Sequence, residues 1–198
     1  MDWATLSAFA IFVAIMTGTP GPGNLTFMAI GASAGYRTAV PVIIAAQLGS
    51  TALNLAVAFG LGQLMARGGL LVVGFKFASM GYMTYLAWRI VQLNVKPKGE
   101  VSLPTFREGL LIHPLSPKTW AMSLVAFTSF FAANGMGIYE NAIILTTGFL
   151  IGGMIFHSLW ALVGVSILKA IGEGAVMRWI TIGMAVAMLA ATAWSLLL

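Results

Sequence analysis

Thr19-Pro20-Gly21-Pro22-Gly23-Asn24 interrupts a stretch that is otherwise apolar from about Trp3 to Ala34. A proline inside a helix removes a backbone donor and clashes with the preceding turn, at a cost of about 3 kcal/mol. Each glycine adds about 1 kcal/mol relative to alanine. Such a run survives in lipid only where protein or a water-filled cavity satisfies the freed carbonyls and amides. It also starts a new helix, whose first residues, from about Asn24 onward, present unpaired amides and partial positive charge. That end suits a carboxylate. A packing kink is the plainer account of a single proline; two prolines and two glycines in succession ask for more.

Composition places this run in a membrane. The chain has 198 residues, of which 60% are hydrophobic and 8% charged, against about 25% charged in a soluble domain. At about 20 residues per crossing, the length allows roughly six or seven helices and no separate soluble domain. The apolar runs are continuous rather than alternating, so the expected fold is all-α and polytopic, not a β-barrel. There is no cysteine, which removes disulfides and thiol chemistry. The net charge of +5 fits basic cytoplasmic loops better than nucleic-acid binding. Met1-Asp2-Trp3 has no basic region and no small-residue cleavage site follows, so the first helix is expected to stay.

Six apolar segments are expected: about Trp3–Ala34, Val40–Met65, Leu70–Leu93, Phe106–Ala132, Tyr139–Leu168 and Met177–Leu197. Arg37, Arg89, Lys96, Lys98, Arg107, Lys169 and Arg178 fall on one set of loops, Arg67 on the other, with Lys76 just inside segment three. The positive-inside rule puts the richer set in the cytoplasm and both termini outside, periplasmic in a Gram-negative bacterium. The polar stretch 94–105 is a cytoplasmic loop dividing one transmembrane domain, 1–198, into halves of about 1–95 and 104–198. Three crossings in each give them opposite topology. Each half opens with a proline-broken helix, Pro20 and Pro22 in one, Pro114 and Pro117 in the other. Paired interruptions in inverted halves point to a transporter's binding site.

Lys118 follows Pro117 inside segment four, with no acidic residue at comparable depth: Asp2, Glu100, Glu108, Glu140 and Glu173 are terminal, loop or helix-end positions. A buried ammonium costs at least about 2.5–3.5 kcal/mol. Three fates are open to it: snorkelling, donation to carbonyls freed by the prolines, or binding an anionic substrate group. His157 lies mid-segment five. It is either a neutral residue hydrogen-bonding between helices or a proton carrier. His113 is similar but nearer the cytoplasmic end. Gln47, Ser50, Thr51 and Asn54 share one face of segment two, either bonding a neighbouring helix or walling a cavity. The pairs Gly31/Gly35 and Gly148/Gly152 read as close-packing sites. No phosphate loop, paired-histidine zinc motif or Ser/His/Asp set is present, so the chain reads as a non-enzyme needing no cofactor or metal.

These motifs together resemble the LysE/RhtB amino-acid exporters. The carriers are Thr19-Pro20-Gly21-Pro22 with Asn24, the turn Gly35-Tyr36-Arg37, the run from Gly81 to Arg89, and Phe106-Arg107-Glu108-Gly109 followed by Ser116-Pro117-Lys118, where the family usually has Asn-Pro-Lys. The resemblance spans nearly the whole chain. It implies six helices and amino-acid efflux across the bacterial inner membrane. The lysine-exporting branch commonly has an acid after a helix-two glycine; here Gly49 is followed by Ser50. A cationic side chain then has no partner, and the resemblance is nearer to the neutral amino-acid and cysteine/O-acetylserine exporters.

The expectation is therefore proton-coupled efflux of a small, neutral amino acid or derivative. Its carboxylate would meet the half-helix end near Gly23 and Asn24, with Lys118 adding charge. Its amine would meet freed carbonyls from Gly18 to Pro22 and polar groups such as Asn54. Thr19, Pro20, Gly21, Pro22, Gly23, Asn24, Asn54, Ser116 and Lys118 form the candidate binding set, and His157 is the proton candidate. The expected partners are the substrate, the proton and membrane lipid, with self-association left open. Two alternatives are a transporter or channel for another solute such as a metal cation, for which membrane acids, cysteine and paired histidines are lacking, and a non-transporting membrane subunit.

Overall fold

The computed structural model describes residues 1–95, 104–132, 134–172 and 174–197. Most of the expected cytoplasmic loop, with Lys96, Lys98 and Glu100, lies outside these residues, as does Glu173. Every regular element among the described residues is helical. In chain order they are α1 (Trp3–Gly18), α2 (Pro22–Ala34), α3 (Tyr36–Ala56), a π-helical turn (Val57–Leu61) leading into α4 (Gly62–Ala66), α5 (Leu70–Val95), α6 (Phe106–Ile112), α7 (Pro117–Ala126) with a second π-helical turn (Phe127–Phe131), α8 (Ile138–Ile171) and α9 (Ala175–Leu197).

Among the described residues, four stretches are long and apolar enough to cross a membrane: Tyr36–Met65, Leu70–Gln92, Ile138–Ile171 and Ala175–Leu197. Helices α1 and α2 pass as a fifth when taken together, bent by 54° at the break. The remaining expected segment, Phe106 to Ala132, is not a continuous helix. Pro117 cannot donate to the turn before it, so α6 ends after seven residues and α7 starts afresh. Large apolar side chains such as Ile143, Ile151, Ile155 and Leu162 are exposed along α8. A helix this apolar on its outer face is one solvated by lipid.

Helix α2 is the centre of the bundle; all of its residues from Pro22 to Ala32 are buried. It packs most extensively on α8, and also on α3, α5 and α9. The approach to α8 is very close. A methyl group on Gly31 would lie 2.1 Å from the Ala161 carbonyl oxygen, and one on Gly164 would lie 1.9 Å from that of Met28. Gly148 and Gly152 do the same for α1, receiving Phe9 and Val13. Gly35 does not belong to this packing. It carries φ of 84°, closes α2 through its amide to the Gly31 carbonyl at 3.0 Å, and lets α3 begin at Tyr36, four residues earlier than expected. Such a φ is costly for any residue with a Cβ.

Helices α5 and α6, on either side of residues 96–103, are joined to one another. Arg89 on α5 pairs with Glu108 on α6 at 3.0 Å. Tyr82 donates to the Glu108 carbonyl, and Tyr85 to its carboxylate. Glu108 is also the third residue of a capping box with Thr105, which fixes where α6 starts.

Candidate functional site

The break in the first segment strips the carbonyls from Met16 to Pro20 of their helical partners, and side chains replace each one. The Thr19 hydroxyl donates to the Met16 carbonyl at 3.2 Å. The Asn24 amide donates to Thr17 and Thr19, both at 2.8 Å. The Trp160 indole donates to Gly18 at 3.0 Å. The Lys118 ammonium donates to the Thr19 carbonyl and hydroxyl, both at 2.9 Å, and to Pro20 at 3.4 Å. Hydrogen bonds from a charged donor stabilise by about 1.5–3 kcal/mol each, enough to offset the insertion cost of the lysine. The carbonyls expected to receive a substrate amine are therefore already in use.

The amide side of the break is different. Pro22 has no N–H, and no side chain caps α2. Its first backbone bond runs from the Leu25 amide to the Gly21 carbonyl at 3.0 Å. The amides of Gly23 and Asn24 thus stand at the positive end of α2 without a helical or capping partner. Helix α7 begins the same way, with Pro117 first, Ser116 before it and no side-chain cap. Its break, too, has an indole on a freed carbonyl: Trp120 donates to Pro114 at 2.8 Å.

Both half-helices open onto one cleft. Thr17, Gly21, Pro22, Gly23 and Asn24 line it from the first break, and His113, Ser116, Lys118 and Thr119 from the second. Gln47 and Ser50 come from α3, and Phe149, Gly153 and His157 from α8. The free space is about 30 Å³, room for a water or two and far less than an amino acid needs. Lys118 is the one formally charged side chain of the lining, and no carboxylate is among it.

The two histidines lie together. Their rings stack with centroids 4.9 Å apart and planes at 22°, and Phe27 covers His157 at 4.7 Å. The Gln47 amide nitrogen lies 2.8 Å from His157 Nδ1, and His113 Nδ1 lies 3.2 Å from the Thr119 hydroxyl. Three buried polar atoms of the lining have no partner: Asn24 Oδ1, Gln47 Oε1 and His113 Nε2. Buried polar atoms are nearly always paired, so this concentration in one cleft marks a place that accepts something.

Of the residues expected from the sequence, Gly21, Pro22, Gly23, Asn24, Ser116, Lys118 and His157 line the cleft. Thr19 and Pro20 are exposed and hold Lys118 instead. Asn54 lies outside it: its oxygen accepts from Ser123 at 2.5 Å and its nitrogen lies 3.4 Å from the Ser50 hydroxyl, which ties α3 to α7. Thr17, Thr119 and Gly153 join the lining without having been expected. His113 was placed nearer the cytoplasmic end; the short α6 and the turn after it bring it onto His157.

No curated protein and no solved structure matches the chain. The model of the LysE type translocator family matches residues 14–197, a span that begins in α1 and takes in both breaks and the whole cleft. The chain is therefore a multi-pass membrane protein of the LysE type translocator family.

Proposed function

We propose that the protein is a secondary exporter of a small, neutral amino acid or derivative, driven by protons across the bacterial inner membrane. The observation that carries this reading is the convergence of two uncapped, proline-started half-helices on one cleft. Free amides, the positive ends of α2 and α7 and the Lys118 ammonium favour a carboxylate there. A lining without any carboxylate disfavours a second positive charge on a substrate side chain, which supports a neutral substrate over lysine or arginine. The substrate's own amino group then needs neutral acceptors, and Asn24 Oδ1 and Gln47 Oε1 are buried ones without partners.

Transport would proceed by rocking of two inverted three-helix halves, with the termini on the periplasmic side. Contacts between elements support the pairing. Helix α1 packs on α8 as α6 packs on α3; α2 meets α5 as α7 meets α9; α3 meets α8, and α5 meets α9, across the halves. In this scheme α6 and α7 form the sixth crossing, broken like the first. His157 is the group that exchanges its proton with the two sides.

The test is transport in vesicles carrying the purified protein, with labelled alanine, serine, threonine and cysteine as probes. Saturable counterflow of at least one, accelerated by a pH gradient, is expected. Movement of none of them, with or without the gradient, would sink the reading.

A further inference from the structure

We infer that Gln47 is the coupling residue of this site: its carboxamide serves either a protonated His157 or the substrate's amino group, and never both. The inference rests on the proposed amino-acid/proton exchange and names the device that would enforce it. An amide nitrogen only donates, so the 2.8 Å contact from Gln47 Nε2 requires a bare Nδ1 on His157. In that arrangement Oε1 is left over, buried and unpartnered. It is an acceptor in a cleft whose formal charge is otherwise positive, and an ammonium is the group it fits.

Adding a proton to His157 Nδ1 turns that atom into a donor. Two donors cannot share the contact, so the carboxamide turns over and offers Oε1 to the ring. Nε2 then takes the place Oε1 had. An acceptor suited to an ammonium becomes a donor that repels it. Proton and amino group thus exclude one another through a single side chain. Arrival of one displaces the other, as exchange in opposite directions requires.

The surroundings suit this role. Gly153 of α8 faces Gln47 so closely that a methyl there would lie 1.9 Å from Nε2 and 2.8 Å from Oε1. A side chain at that position would leave the amide no room in either orientation. The other charged or titratable groups facing His157 are His113, stacked on it from the second break, and Lys118, which is held by Thr19 and Pro20. Helices α2 and α3 bring only uncharged groups to the lining: Pro22, Gly23, Asn24, Gln47 and Ser50. Two positive charges at stacking distance repel strongly in low-dielectric surroundings, so the pair of rings takes one proton rather than two.

Gln47→Glu tests this, because a carboxylate accepts on both oxygens and can hold imidazolium and ammonium together. In the same vesicles, the variant is expected to lose the acceleration by a pH gradient, so that its counterflow, whatever its rate, is the same with and without the gradient. His157→Asn, which keeps a neutral polar group, is expected to do likewise. It decides the matter if the glutamate variant does not fold. Binding of the transported amino acid to the detergent-purified wild type should weaken as pH is lowered, and should not weaken in His157→Asn. Gradient acceleration undiminished in either variant would overturn the inference, as would coupling lost in His113→Asn but kept in His157→Asn. Failure of the wild type to move any amino acid would instead defeat the proposed function itself.

Discussion

Lys118 Nζ sits 2.9 Å from both the carbonyl and the hydroxyl oxygen of Thr19, so the two broken helices are bonded to one another at their breaks. The stem of the lysine runs over Gly21, where a methyl group would lie 2.9 Å from Cδ and 3.1 Å from Nζ. Gly21→Ala should therefore push the ammonium off its acceptors without touching a charge. Counterflow should fall about as far in Gly21→Ala as in Lys118→Met. Both variants should remain monodisperse and fully helical by circular dichroism, since α1 and α7 keep their own backbone bonds.

Asn24 supports the break from the other side, with its nitrogen shared between the Thr17 and Thr19 carbonyls. Asn24→Ala leaves the buried Thr17 carbonyl without its side-chain donor and the Thr19 carbonyl with Lys118 alone. Thermal unfolding in detergent should show a loss of about 1–3 kcal/mol. Asn24→Asp should be worse, because a carboxylate placed among carbonyl oxygens offers no donor at all. An aspartate variant as stable as wild type would contradict an Asn24 nitrogen facing the two carbonyls.

Much of this site is legible in the sequence because proline and glycine act locally. Pro20 to Gly23 and Pro114 to Pro117 break their helices wherever the chain goes, and the positive end of a half-helix follows from the break alone. The partners of the freed groups are not legible, since they come from far along the chain: Trp160 for Gly18, Lys118 for Thr19. The stacking of His113 on His157 was not legible either, because it depends on how the short α6 and the turn after it carry the chain. Asn54 shares the face of Gln47 and Ser50, but that face is longer than the cleft, and its end meets Ser123 instead. Periodicity fixes a direction and leaves the extent of a cavity open.

Glycine substitutions should separate by what stands opposite. Gly164→Ala places a methyl against the Met28 backbone, which cannot turn aside. Overpacking of this kind costs about 1–3 kcal/mol or more. Gly148→Ala meets the Phe9 ring, a side chain and not backbone, and should cost less. Gly81→Ala meets nothing within 4 Å and should gain up to about 1 kcal/mol of helix propensity. The order of melting temperatures, Gly81→Ala highest and Gly164→Ala lowest, is the measurement.

The cysteine-free chain makes the proposed orientation easy to read. Single cysteines at Trp3→Cys, Arg37→Cys and Arg178→Cys can each be tested with a membrane-impermeant maleimide on intact spheroplasts. The first should label from outside, and the other two only after permeabilisation. Labelling of Arg37→Cys and Arg178→Cys on opposite sides would rule out three crossings in each half.

Helix α2, buried from Pro22 to Ala32, has no surface left for lipid. Its height in the bilayer is set by glycine contacts with α8 and not by matching an apolar length to the thickness of the hydrocarbon. Helices α5 and α9, which make no such glycine contact with α2, are the ones that tilt or stretch when that thickness changes. The substrate end of α2 is then mechanically insulated. Bilayers of differing acyl-chain length should alter how fast the halves rock while leaving binding affinity nearly constant.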